Sequence, residues 1–182
     1  MSNKIKKDSS GNPKLFNLIF PVWLLVWLPS PLWIGIIPIN YIIDRLVFTI
    51  SGKIQKKELK QKFFMKHTWK LFLIGFAADF VGMIMLLLPM TIENWIESRI
   101  DGVVDWLAEI NSSLSYNCFD NIFALLYTLL AIAVAGLLIY IFDKKVIIST
   151  KEFTIQQANK IALFMALFTA PYLYLFPIEY IY

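Results

Sequence analysis

Asp79 stands at the centre of residues 71–90, a run in which every other side chain is apolar or absent. An acidic residue at mid-membrane depth costs about 2.5–3.5 kcal/mol on insertion scales, so a chain that keeps one places it against a partner or in a wet cavity. Gly75, Ala78, Asp79 and Gly82 recur at helical spacing. The carboxyl group therefore belongs to a small-residue face where another helix can approach closely.

A second polar set lies upstream. Asn40 and Asp44 share a helix face at i, i+4, and Arg45 follows directly. Pro38 removes a backbone donor and frees the carbonyl of Ile34, exposing backbone polarity beside the same group. If this segment crosses the membrane, Asn40, Asp44, Arg45 and Asp79 form one intramembrane cluster with a formal sum of one negative charge. Such a cluster reads as a cation or proton path: Asp79 is the titrating or ion-coordinating group, Asp44 and Asn40 are auxiliary oxygen ligands, and Arg45 is a tuning charge. The competing reading is an Arg45–Asp79 ion pair that only locks two helices together.

Enzymatic alternatives find little to work with. His67 is the single histidine and Cys118 the single cysteine, so neither a His-based metal cluster, a His-based triad nor an intrachain disulfide can be assembled from this chain. No Gly-rich phosphate loop or nucleophile elbow is present. Asp44 and Asp79 as a hydrolytic dyad would have Arg45 opposing a shared proton. The expectation is a protein that is not an enzyme, with no catalytic residues, no cofactor and no metal site.

The elements that must hold the cluster follow from composition. Hydrophobic residues make up 58% of the 182 and charged residues 16%, with a mean hydropathy of +0.63. That apolar share exceeds an ordinary soluble domain's and fits four or five spans of about 20 residues each. The net charge of +4 sits in short lysine runs beside apolar segments, where it reads as a topology signal, not as a nucleic-acid footprint.

Residues 1–14 are polar and basic and read as a retained cytoplasmic tail, because no small-residue cleavage site follows them. Residues 15–51 are too long for one span and carry Pro29-Ser30-Pro31 near their middle. They read as a helical hairpin whose first arm, 15–28, either spans or is re-entrant. The segment 52–70 is basic, with Lys53, Lys56, Lys57, Lys60, Lys62, Lys66 and Lys70 around Phe63, Phe64 and Trp69. Anionic lipid is its expected partner. Since lysines collect in cytoplasmic loops, both ends of the hairpin face inward and its turn lies towards the far side.

Residues 71–90, 122–142 and 161–177 are the remaining spans, joined by 91–120 and by the basic stretch 143–160. Between 91 and 120, Glu93, Glu97, Asp101, Asp105 and Glu109 form an acidic face opposite Ile92, Trp95, Ile96, Ile100, Val103, Trp106 and Ile110. This periodicity predicts an external amphipathic helix. Its acidic face either concentrates cations at a vestibule or simply keeps the loop solvated. Asn111-Ser112-Ser113 is a glycosylation sequon on the same loop.

Small-residue stripes in the last spans (Ala124, Thr128, Ala131, Ala135; Ala158, Ala162, Ala166, Thr169, Ala170) predict close helix packing, within the chain or between copies. Tyr172, Tyr174, Tyr180 and Tyr182 read as an outer aromatic belt.

The expected fold is an all-α integral membrane bundle: an N-terminal helical hairpin, three transmembrane helices and one external amphipathic helix. The expected setting is the lipid bilayer of a bacterial cytoplasmic membrane, as a homo-oligomer or a subunit of a membrane complex, with no nucleic-acid partner, the amino terminus inside and the carboxyl terminus outside. The leading functional expectation is a channel or transporter subunit for a cation or proton; the rival is a non-transporting accessory, scaffold or immunity-type protein. The hairpin is testable with Ser30→Cys in a Cys118→Ser background: impermeant maleimide should label it from the face opposite the lysine-rich segment, and labelling from the lysine side excludes a spanning hairpin.

Overall fold

A computed structural model describes residues 33–55, 59–96 and 103–177, and among them the chain is helical with no strand. The elements are α1 (Trp33–Gln55), α2 (Gln61–Ile96), α3 (Val103–Tyr116), a 3-10 turn (Cys118–Asp120), α4 (Ile122–Ser149), α5 (Ile155–Thr169) and a second 3-10 turn (Tyr172–Leu175). Among the described residues four stretches are long and apolar enough to cross a membrane: Ile34–Gln55, Gln61–Glu93, Ile122–Ser149 and Ile155–Leu175. The first arm of the expected hairpin, 15–28, and its Pro29-Ser30-Pro31 turn lie outside the described residues.

The packing is a closed ring in which α1 rests on α2 and α5, and α4 rests on the same two helices from the other side. The side chains are distributed for lipid. Leu73, Phe80 and Leu88 of α2, Leu126, Leu130 and Leu137 of α4 and Leu163 and Leu167 of α5 face outward and exposed, whereas Ala78, Ala124, Ala131, Ala135, Ala158 and Ala162 are buried. Small residues inside and large apolar ones outside suit a solvent that gives no hydrophobic drive and rewards close backbone approach. A Cβ on Gly136 would sit 3.6 Å from the carbonyl oxygen of Ala166, a measure of how near α4 comes to α5.

Several boundaries differ from those that composition suggests. The basic residues 61–70 are the first turns of α2, which continues without a break through the apolar run to Ile96. At 36 residues it is about 54 Å long, well beyond the roughly 30 Å hydrocarbon layer. Ile92, Trp95 and Ile96 therefore belong to α2, and the amphipathic helix between the spans is the shorter α3. Likewise α4 runs past residue 142 to Ser149, and α5 begins at Ile155, leaving a short connection where a long basic loop was expected.

Local chemistry explains those ends. Asn121 caps α4 by accepting from the Phe123 and Ala124 amides at 2.9 and 3.3 Å. Thr154 and Gln157 close a reciprocal capping box on α5. Lys151, at φ 59°, makes the sharp reversal between the two helices. The Gln157 amide then donates to the carbonyl of Gln55 at 2.9 Å, tying the start of α5 to the end of α1.

Pro89 lies inside α2 and cannot donate to the carbonyl of Met85; the Tyr127 hydroxyl of α4 donates to it instead, at 2.8 Å. Asn111 of α3 donates to the carbonyl of Pro89 at 3.1 Å and to the Glu93 carboxylate. The sequon asparagine is thus buried and engaged, which argues against a glycan there.

At the lysine-rich end, Phe64 is fully enclosed between Phe48 and Phe63, with ring centroids 5.1 and 5.5 Å away. A Cβ on Gly52 would lie 2.9 Å from Phe64 Cζ and closer still to Cε1. The ring has no room to yield. Gly52→Ala is expected to lower stability in detergent by about 1–3 kcal/mol, while Gly35→Ala, which meets nothing within 4 Å, leaves the thermal midpoint unchanged or raised.

Candidate functional site

The cavity of interest opens where α5 stops short. Ala170 takes φ −59° and ψ 153°, the extended conformation imposed on a residue before proline, so Pro171 ends the helix at Thr169. Fifteen residues of helix reach about 22 Å, less than the hydrocarbon thickness, and the 3-10 turn Tyr172–Leu175 completes the passage. The space left beside α1 and α2 is a cavity of about 390 Å³.

Its walls bring together residues far apart in sequence. Asn40 and Asp44 come from α1, Gly75 and Asp79 from α2, and Thr169, Ala170 and Tyr174 from the broken end of α5 and the turn after it. Ile39, Ile43, Phe72 and Phe76 supply the apolar lining. Gly75 admits the Asp44 carboxylate: a Cβ there would stand 3.7 Å from Oδ2. Gly82 does the same for Tyr174, whose ring would lie 3.0 Å from an added Cβ and whose hydroxyl donates to the backbone carbonyl of Asp79.

The electrostatics of the cavity have one sign. Asp44 is buried. One Asp79 oxygen is buried without a donor. Among the described residues no positive side chain lines the cavity that holds both carboxyl groups. The C-terminal end of α5 adds the partial negative charge of a helix terminus, although its Leu167 carbonyl accepts from the Tyr172 hydroxyl at 2.6 Å. Among the described residues no ion pair joins Arg45 to Asp79, and Arg45 does not line the cavity.

A third carboxyl group was not apparent from the sequence. Asp143 of α4 is 0% exposed, both of its oxygens lack a hydrogen-bond donor, and it interacts electrostatically with Asp44. Beside Lys144 and Lys145 it looks like part of a soluble loop. The available signal is its register, since Ala135, Ile139, Asp143 and Ile147 continue the buried stripe of α4 at steps of four. Tyr174, expected in the aromatic belt, is instead buried against α2, whereas Tyr172 is exposed as a belt residue should be.

The acidic face expected between the spans is divided. Glu93 belongs to α2 and accepts from Asn111, Asp105 and Glu109 are exposed on α3, and Glu97 and Asp101 lie outside the described residues. His67, its ring 4.4 Å from that of Phe63, donates through Nδ1 to the Phe63 carbonyl at 2.9 Å, far in sequence from any of these acids. Among the described residues no group of three or more His, Cys, Asp or Glu is placed to hold a metal ion together. The cavity can offer a hard monovalent cation, or a proton, a few oxygens from Asn40, Asp44, Asp79 and backbone carbonyls.

No family model, curated protein or solved structure matches the chain. The geometry thus carries the functional argument by itself.

The missing counter-charge has a measurable consequence. Asp79→Asn replaces a buried carboxyl group that no described cation partners, so thermal stability in detergent should hold or rise. A loss of about 3–5 kcal/mol, the cost of breaking a buried ion pair, would restore the Arg45–Asp79 reading.

Proposed function

We propose that the protein is a channel or transporter subunit that passes, or couples to, a cation or proton through the cavity between α1, α2 and the end of α5. The observation that carries this reading is the convergence of Asn40, Asp44 and Asp79 with a helix C-terminus on one cavity that no positive side chain among the described residues lines. Interrupted helices whose ends point at a mid-membrane site are the usual way a bundle presents backbone carbonyls to a cation. Asp79 is the principal binding group and Asp44 and Asn40 its auxiliary ligands, whereas Arg45 lies outside the cavity.

The same reading supplies a setting. The lysine-rich end, with Lys53, Lys60, Lys62, Lys66 and Lys160 exposed, faces the cytoplasm of a bacterial cell, and α3 lies on the external side. Lys62, Lys66 and Lys70 recur at steps of four along α2 beside exposed Met65 and Trp69, an arrangement suited to anionic headgroups at about 1 kcal/mol per lysine.

One observation favours a second reading. The apolar stretch of α1 is the least buried of the four, with Ile39, Ile42, Leu46, Ile50 and Ile54 all more than half exposed. That ridge suits another helix as well as lipid, and supports an accessory or scaffold protein, or an oligomer of this chain.

Flux separates the two. In proteoliposomes containing a pH-sensitive dye, or loaded with sodium or potassium, the wild type should dissipate an imposed gradient. Asp79→Asn and Asp44→Asn should slow that by about tenfold or more, equivalent to about 1.4 kcal/mol or more in barrier height. Absence of wild-type flux for every cation, or flux unchanged in both variants, defeats the transport reading.

A further inference from the structure

The oxygens around the cavity are mostly committed within the chain. Thr169 donates its hydroxyl to the Met165 carbonyl at 2.8 Å, Tyr172 to the Leu167 carbonyl at 2.6 Å and Tyr174 to the Asp79 carbonyl. The Tyr172 amide takes up the Ala170 carbonyl at 2.7 Å. What the described walls hold out to a guest is chiefly two carboxyl groups, Asp44 and Asp79, and the Asn40 amide. An inorganic cation gives up its water only where a full set of oxygens replaces it. That set is not assembled here, and among the described residues no group of three or more metal-ligating side chains forms.

The same walls are rich in aromatic rings. Phe72, Phe76, Phe168, Tyr172 and Tyr174 all line the cavity. On α2 rings and acid share one face: Phe72, Gly75, Phe76 and Asp79 follow at i, i+3, i+4 and i+7, and the Phe72 and Phe76 centroids lie 6.1 Å apart at 33°. Side chains one helical turn apart, such as Phe76 and Asp79, have Cβ atoms about 5–6 Å from each other. A cation drawn to the Asp79 oxygen that is buried without a donor therefore comes within reach of a ring, whose face attracts cations over about 6 Å.

Size and surroundings point the same way. At about 390 Å³ the cavity falls within the roughly 300–1,000 Å³ range of pockets for organic ligands, which are likewise apolar with a few converging polar groups. Ile39, Ile43, Phe168 and Tyr172 line it and are also exposed at the surface, so its rim is apolar. A bulky, weakly hydrated cation loses little on leaving water for such a rim, whereas a small metal ion loses its whole hydration shell.

We propose that the cation taken by this cavity is organic: an ammonium monocation with apolar or aryl substituents, its charge set against Asp79 and Asp44 and its substituents against Phe72, Phe76 and Tyr174. This rests on the proposed reading of the cavity as a cation site and gives that reading its substrate class.

The test uses the full chain, purified in detergent, with benzyltrimethylammonium as the probe and its uncharged carbon isostere, neopentylbenzene, as competitor. Calorimetry should show saturable binding of the probe that neopentylbenzene does not displace. In protein that elutes as the wild type does, binding should weaken about tenfold or more in Asp79→Asn and about three- to fivefold in Phe76→Leu, which keeps apolar bulk without a ring, and recover in Phe76→Tyr. In proteoliposomes, uptake of the radiolabelled probe should fall in Asp79→Asn alongside binding. No saturable binding, equal displacement by the isostere, or binding unaltered in Asp79→Asn overturns the inference. Sodium, potassium or proton flux that depends on Asp79 in a protein that does not bind the probe overturns the organic substrate and leaves the cation path standing. If neither the probe nor any inorganic cation binds or moves, both fall; Asp79-dependent binding of the probe without flux of any cation upholds the ligand class and removes transport.

Discussion

Burying carboxyl groups in a bundle surrounded by hydrocarbon carries a free-energy cost that lipid cannot relieve, and the helices around Asp44, Asp79 and Asp143 are arranged about that cost. Gly75 and Gly82 clear space on α2, Pro171 stops α5 before it can fill the gap, and Tyr174 folds back to cap the Asp79 carbonyl. Each opens or bounds a polar interior that a purely structural bundle would fill with leucine.

The backbone obeys the same constraint. A helix in lipid must satisfy its own amides and carbonyls, and the two described helices that carry internal prolines do so differently. At Pro89 the orphan carbonyl of Met85 is taken up by Tyr127, which also fastens α2 to α4. Pro38 lies near the start of α1, where the freed carbonyl of Ile34 lies within one turn of the helix end. At the broken end of α5 the Leu167 carbonyl accepts from the Tyr172 hydroxyl, and Thr169 and Ala170 line the cavity. The irregular backbone is thereby confined to the place where polar contents can satisfy it.

Stability and site are also separated along the bundle. At the lysine-rich end Phe48, Phe63, Phe64 and Phe153 interlock around the α1–α2 and α4–α5 connections. At the other end Asn111, Tyr127 and the Asn121 cap hold α3 and α4 to α2. The cavity lies between two anchored ends, which allows uncompensated charge in the middle without loosening the ring.

Composition by itself pointed to helices long and apolar enough to cross a membrane, with small residues on their inner faces, because hydropathy and residue size are local properties that no tertiary contact can reverse. Spacing likewise put Asn40 and Asp44 on one helix face and Asp79 on a small-residue face. Tertiary structure alone decided the rest. Arg45 follows Asp44 directly, yet one step along a helix turns a side chain through about 100°, and that rotation takes it away from the cavity. Asp143 reads as loop until α4 is seen to extend to Ser149 and carry it into the core. Tyr174 reads as interface until the break at Pro171 folds it onto Gly82. Helix ends and azimuths depend on capping and on neighbouring helices, and those are set only when the ring closes.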